Sequence, residues 1–413
     1  MPLAIYDYWG RIRGLSGNAK RYLACTIVRS MSISVWWLLY NLYLTSMGFD
    51  VGFIGLTRTL GLTVCIIFSL PAGLLADRIG RKRALVIGLA GMALCRFGIV
   101  IFSLKWLIVA SITLFGVFDA LFIVSIAPFL MENSTARERT ILFTANDSLM
   151  SLVSFVASIG GGYLPRAFGA VLSVGPESAP AYRAAMVTAV SVLALGLIPL
   201  WGVREQKKPG FLQSPFRVAW PTWPRFSNPK LIAKLLIPQA LFGFGGGLLF
   251  PFLNLFYKQR FGISDSTLGW IFGVMDIIVA LMTLGASAVA ERQGKIRSLL
   301  MARILATPLL LVMGFVPSLP VAVAAHWLRS GLYRLGEPLY LAFAMEQFSE
   351  SERATASSLL QMSWDIGGAI GPTVSGIVQV RSGFDPLFVS TTVLYALSLT
   401  CIHRFFGRKK ETK

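Results

Sequence analysis

The chain has 413 residues, of which 55% are hydrophobic and only 14% charged, against roughly 25% charged in a soluble globule. Apolar runs of about 20 residues recur from end to end, each long enough to cross ~30 Å of hydrocarbon. A soluble protein would have to bury a dozen such runs, so composition excludes that class and points to an all-α polytopic membrane protein. The formal charge of +19 would suit nucleic acid, but the basic residues sort by loop, which argues for a membrane topology signal instead.

In chain order, the opening stretch MPLAIYDYWGRIRGLSGNAKR is mixed and basic. The apolar run after it is too long for a signal-peptide core, so no cleavable signal is expected. Twelve spans are predicted near 20–46, 52–76, 84–104, 106–130, 140–164, 184–203, 231–256, 266–289, 298–317, 320–345, 354–378 and 385–405. With the N-terminus cytoplasmic, the external loops hold Lys105, Arg166, Arg183, Lys258, Arg260 and Arg381, and most other Lys and Arg fall in cytoplasmic segments. This bias predicts cytoplasmic termini in a plasma-membrane protein. It suits an anionic inner leaflet and leaves nucleic acid without a role. Cys25, Cys65, Cys95 and Cys401 all lie in apolar runs without C-x-x-C spacing; they read as small core residues, and neither metal nor cofactor is expected.

Between spans 2 and 3 lies GLLADRIGRKR (73–83), which sets Asp77, Arg78, Arg81, Lys82 and Arg83 around Gly80. A weaker echo, AERQGKIR (290–297), aligns Asp77 with Glu291, Arg78 with Arg292, Gly80 with Gly294, Arg81 with Lys295 and Arg83 with Arg297, a shift of 214. The same shift relates ENSTARERT (132–140) to EQFSESERA (346–354), matching Glu132 with Glu346, Glu138 with Glu352 and Arg139 with Arg353. Two loops sharing one offset predict duplicated halves. The expected domains are 1–203 and 231–413, each with six spans, joined by a proline-rich basic linker at 204–230 that runs along the cytoplasmic surface near Trp220 and Trp223.

The loop beginning at Gly73 resembles the signature loop of the major facilitator superfamily, G-x-L-x-D-R-x-G-R-[KR]-x. The degenerate second copy, the twelve spans and the long central linker are similar to that family as well. The resemblance implies two six-helix bundles around a central cavity, with access alternating between the two sides. It implies that Asp77 faces the N-terminus of span 11, where a helix dipole attracts a carboxylate, while neighbouring arginines meet Glu132 at the foot of span 4. The loop would then latch the cytoplasmic side shut. Gly80 permits the tight turn, and Arg81, Lys82 and Arg83 suit phosphate headgroups, so a topology anchor is the plainer alternative.

Ionisable residues at membrane depth are costly and point to function. They are Arg29, Arg58, Arg96, Asp119, Asp147, Asp276, Arg303, Arg329, Arg334, Glu337 and Asp365. Arg58 and Arg303 lie nearer the surfaces and are expected to snorkel, as is Lys234. Arg96 and Asp119 sit at similar depth on adjacent spans, open to a structural pair or a substrate role. Arg334 and Glu337 are spaced to neutralise each other on one helix face. The resemblance puts spans 1, 4, 7 and 10 along the cavity and 2, 5, 8 and 11 beside it, which favours Arg29, Asp119, Asp147, Asp276, Arg329, Arg334, Glu337 and Asp365. Asp276 and Asp365 lie near mid-depth and are the candidate proton sites, because desolvation favours the protonated acid.

Span 7, LFGFGGGLLFPFLNLF (241–256), sets Gly243, Gly245, Gly246, Gly247 and Pro251 between Gln239 and Asn254. It is expected to bend or break at the cavity, with close packing as the alternative. Span 11, DIGGAIGPTVSG (365–376), reads as packing plus a flexible bend. Span 5 carries SIGGGYLP (158–165), a poor match to the glycine–proline motif of family antiporters. Trp36 and Asn41 are candidate cavity residues of span 1, whereas Tyr40 and Tyr43 suit an interfacial aromatic belt.

With two histidines, no H-E-x-x-H, no G-x-S-x-G and no P-loop, no enzyme and no direct use of ATP are expected. The predicted function is secondary transport of a small solute by a monomer in the lipid bilayer: proton-coupled export of an organic or amphipathic compound. Uptake of an anionic solute through Arg29, Arg329 and Arg334, a lipid flippase and a non-transporting receptor are the alternatives.

Overall fold

In the computed structural model, residues 14–135, 138–204 and 228–406 are described. The central linker, with Trp220 and Trp223, lies outside them apart from its flanks. Among the described residues every element is helical, and helices stand at all twelve expected places.

The first six spans are Gly17–Ser46, Val51–Ile79, Arg81–Ile101, Lys105–Glu132, Arg139–Val171, and Ala179–Leu195 continued by Leu197–Trp201. Span 7 is Pro229–Leu249, a 3-10 turn Phe250–Phe252, and Leu253–Phe261. Span 8 is Asp265–Leu284 with Ala286–Gln293, and span 9 is Lys295–Ala306 with Leu309–Phe315. Spans 10, 11 and 12 are Leu319–Glu346, Glu350–Ser382 and Asp385–Phe406. Ten are long and apolar enough to cross a membrane by length and composition. Spans 10 and 11, of 28 and 33 residues, are long enough as well but less apolar.

Local chemistry sets the ends. Ser16 caps span 1 by accepting from the Ala19 N–H at 3.2 Å, and Asn228 caps span 7 by accepting from Leu231 N–H at 3.0 Å, each satisfying an orphan donor. Gly80 and Gly294 precede spans 3 and 9 with φ of 92° and 81°, a region open to glycine at no steric cost. Their backbones match (ψ 148° and 155°), so the 214-residue register holds in geometry as well as in letters. Pro251 breaks span 7, because proline lacks the N–H that would continue the ladder.

Two compact units emerge. The first holds most of spans 1–6 together with Asp265–Gly273. Spans 1 and 3 pack on spans 4, 5 and 6 around Tyr22, Leu85, Leu89, Met92, Phe122 and Leu193. The second holds most of spans 7–12 together with Phe49–Thr59; span 7 packs on spans 11 and 12, and span 9 on span 10.

Candidate functional site

The signature loop forms a local pair. Asp77 is ion-paired with Arg81, one helical turn on, across the Gly80 turn. Gly73 opens on free space. Arg78 and Arg83 are exposed at the same helix junction, with Lys82 partly so. Glu132, expected to meet these arginines, is exposed and forms no ion pair among the described residues. In the second copy, Lys295 does pair with Glu346, while Glu291 and Arg292 stay exposed beside Gly294.

The other repeated loop has a role that the sequence reading missed. The Glu138 carboxylate accepts from both the N–H and the hydroxyl of Thr135, each at 2.9 Å. These bonds hold its pKa below the usual glutamate value. In register, Glu352 accepts from the Ser349 N–H at 3.3 Å and hydroxyl at 2.7 Å, closing a capping box at the start of span 11. The T/S-x-x-E spacing was the available signal. Arg353 donates to the carbonyls of Met345 and Phe348, whereas Arg139 is exposed.

Glycines carry the 214 register to the other ends of spans 2 and 8, away from the signature loops. In the second unit, a Cβ on Gly55 would lie 2.2 Å from the Pro372 carbonyl oxygen, and one on Gly376 would lie 2.6 Å from the Val51 carbonyl oxygen. In the first unit, Gly269 would meet the Ser158 carbonyl oxygen at 2.4 Å, and Gly162 that of Asp265 at 2.5 Å. These are the same contacts displaced by 214. Thr59 donates to the Ala369 carbonyl at 2.6 Å and pairs with Thr373 at 2.8 Å, while Tyr182 donates to Asp265 at 3.1 Å. The beginnings of spans 2 and 8 are thus seated backbone to backbone on spans 11 and 5.

Within the first unit, Asp119 lies in the field of Arg29 and Arg96. Arg29 is set over Phe122 at 4.8 Å. Arg96 lies over Trp36 at 4.7 Å and Phe115 at 5.0 Å. Trp36 and Asn41 are buried. Tyr40 and Tyr43 are buried too, and Tyr43 donates to the Val100 carbonyl at 2.5 Å, so they belong to the bundle interior and not to an aromatic belt. Asp147 is exposed and accepts from Asn146 at 3.2 Å.

Arg58 and Arg303 are 8% and 1% exposed, so protein covers both side chains and neither snorkels. Arg303 pairs with Glu337 at 3.0 Å, and this takes Glu337 away from its expected partner Arg334. Arg334 is instead the cation that acts on Asp276. Asp365 accepts from Gln361 at 2.9 Å. Gln239 is buried with its carbonyl oxygen unpartnered, and Asn254 is buried just past the break in span 7. The glycines there serve packing as well: Gly243 meets the Trp364 carbonyl and Gly247 that of Gly368. Span 11 runs as one continuous helix through Pro372.

Around Arg303 the interior of the second unit is aromatic. Its guanidinium is 4.2 Å from the Phe242 ring centre and 5.1 Å from that of Tyr333. Arg329, also buried, is 4.0 Å from Phe250 and 5.5 Å from Tyr333. Of this cluster the sequence reading singled out the charges and missed Phe242, Tyr333 and Tyr395, which look like ordinary apolar spacing until spans 7, 10 and 12 come together.

The Major Facilitator Superfamily model matches residues 22–333 and 235–413. An uncharacterized MFS-type transporter, YdeE, of Escherichia coli (strain K12) is 23% identical over 357 residues, spanning 82% of this chain and 83% of that protein. The multidrug resistance protein MdtG of Dickeya zeae (strain Ech586) is 24% identical over 346 residues, spanning 81% and 78%. Among solved structures, a bacterial homologue of the iron transporter ferroportin in its inward-facing state superposes with a TM-score of 0.76 at 14% identity, covering 94% of this chain and 98% of that one. The nucleoside transporter NupG gives 0.70 at 13%, covering 96% and 100%. With a signature loop in two copies, helices at every expected place and a family match along its length, this chain belongs to the Major Facilitator Superfamily of membrane transporters.

Proposed function

We propose that the protein is a monomeric secondary transporter that exports a small amphipathic organic solute across the plasma membrane, coupled to protons, by alternating access. Its halves, 1–203 and 231–413, rock about the solute, with the termini and the 204–230 linker in the cytoplasm. The observation that carries the coupling is Asp276, an acid near the middle of span 8 that shares its surroundings with Arg334. Such a carboxylate can exchange its cation partner for a proton as access changes. Asp365 in span 11, held by Gln361, is the second carrier. Relatedness to a multidrug resistance protein supports export of an amphipathic compound.

Counterflow in proteoliposomes tests this reading. Vesicles preloaded with unlabelled ethidium or naphthalene-2-sulfonate should take up the labelled compound transiently above equilibrium. A flat time course for both, with folded protein, contradicts it.

A further inference from the structure

Spans 9 and 10 bury two guanidiniums in the second unit, and only one of these is ion-paired. Arg303 has Glu337. Arg329, 4% exposed, has no carboxylate within ion-pair distance among the described residues. It sits about 15 Å along span 10, counting from Leu319 at 1.5 Å per residue, which is deep in the hydrocarbon. Its neighbours are rings: Phe250 at 4.0 Å, Tyr333 at 5.5 Å and Tyr395 at 5.9 Å. Ring faces attract a cation but carry no net charge, so the burial cost of this arginine stays uncompensated.

Two further observations point to the same place. The Tyr333 and Tyr395 rings stack at 6.0 Å; the Tyr333 hydroxyl faces the Glu337 carboxylate, whereas the Tyr395 hydroxyl faces the Arg329 guanidinium, which can only donate, so the Tyr395 proton has no acceptor. Buried polar groups are nearly always paired, so the Tyr395 donor beside an unneutralised cation asks for an acceptor. Phe250, the ring nearest Arg329, lies in the 3-10 turn that interrupts span 7, and discontinuous helices in transporters occur where solutes bind.

We propose that Arg329 receives the oxyanionic headgroup of the transported solute, that the Tyr395 hydroxyl donates to the same group, and that Phe250 and Phe242 hold its apolar body. The substrate class is an amphipathic organic anion. This rests on the transporter reading above and adds the solute's charge to it. Arginine suits a carboxylate, sulfonate or phosphate monoester because its planar fork can donate two parallel hydrogen bonds.

The test is calorimetric binding to the purified full-length chain in detergent free of anionic lipid. The probes are naphthalene-2-sulfonate, its neutral isostere naphthalene-2-sulfonamide, and inorganic sulfate. Wild type should bind the sulfonate at least tenfold more tightly than the sulfonamide or sulfate. Arg329→Gln should erase the preference, Arg329→Lys should retain part of it, and Tyr395→Phe should weaken it. Equal binding of sulfonate and sulfonamide by wild type overturns the proposal without recourse to any variant. So does an undiminished preference in Arg329→Gln, or displacement of the sulfonate by phosphatidylglycerol as the tighter ligand, which would assign the site to a lipid headgroup. Binding with the predicted preference but no counterflow in proteoliposomes would leave this site standing and remove the transporter reading instead.

Discussion

Lys295 forms an ion pair with Glu346, whereas their counterparts 214 residues earlier, Arg81 and Glu132, do not pair: Arg81 turns to Asp77. The backbone is alike in both copies, since Gly80 and Gly294 adopt the same positive-φ turn. The difference lies in side-chain partners. The second copy ties the start of span 9 to the foot of span 10, and the first leaves Glu132 to solvent. A pair such as Asp77–Arg81, exposed and one turn apart, contributes about 0.3–0.5 kcal/mol, too little to explain a repeated geometry by stability alone.

The first prediction follows from that small magnitude. Asp77→Asn should leave insertion and thermal stability nearly unchanged, because only one weak exposed pair is lost. Transport should fall severalfold if Asp77 exchanges Arg81 for another partner during the cycle. Melting curves and flux on the same preparation decide it. A large loss of stability with normal flux per folded molecule would reduce the loop to a structural element.

The glycine seams predict a sharp contrast among glycines. Gly55→Val and Gly269→Val put carbons where carbonyl oxygens of Pro372 and Ser158 already stand, and backbone cannot give way as a flexible side chain does. Each should cut flux at least tenfold while the protein still inserts. Gly73→Val in the signature loop meets open space and should be nearly silent on packing grounds. Flux and the cysteine accessibility of Thr59→Cys and Thr373→Cys measure both effects. Equal transport by Gly55→Val and wild type would mean the seam has no part in the cycle.

Much of the fold was legible in advance because membranes impose one rule: apolar runs of span length must be helices. Spans 1 to 12 and the doubled loop could be read from letters and spacing. Partners could not. Arg334 and Glu337 stand correctly spaced on one face, yet Glu337 goes to Arg303 on span 9, because a fully buried guanidinium competes more strongly for a carboxylate than an exposed one. Tyr40 and Tyr43 fit an interfacial belt by position, but the helix rotation that turns them inward is set by packing. The capping spacing at Thr135 and Ser349 was readable and was overlooked in favour of its charges. The aromatic cluster depends on three spans converging and left no local signature.

The buried Arg303–Glu337 pair yields a stability prediction. Removing one partner leaves a charge stranded in low dielectric, which costs about 3–5 kcal/mol when both are buried. Glu337 keeps 29% of its side chain exposed, so Glu337→Gln should sit at the low end, about 3 kcal/mol. The double variant Arg303→Met with Glu337→Leu, which removes both charges, should recover most of that loss. Denaturant unfolding in detergent measures it. A double variant as unstable as the single one would show that the pair matters through shape and not charge.

Glu138 gives the pH dependence. Its bonds to Thr135 depress its pKa in the folded state, so the unfolded chain takes up the proton first as pH falls. The stabilisation is therefore complete above the ordinary glutamate value and is lost as pH drops through the lower folded one. Thr135→Val removes the hydroxyl bond, so it should lower stability at neutral pH slightly and shrink the further loss on acidification. Melting temperatures of both proteins, followed from neutral pH down through and below the ordinary glutamate range, show the difference. Parallel curves would exclude the contribution.

Proton-driven movement of a solute is met most directly by accumulation against a gradient. Full-length protein in proteoliposomes is given an acid-inside gradient, and accumulation of ethidium and of naphthalene-2-sulfonate is followed; both stay charged and cross bilayers poorly unaided. Wild type should accumulate at least one of them, a protonophore should abolish the accumulation, and Asp276→Asn should lose it while retaining counterflow. No accumulation of either probe, or accumulation unchanged in both Asp276→Asn and Asp365→Asn, would contradict proton-coupled transport by this chain.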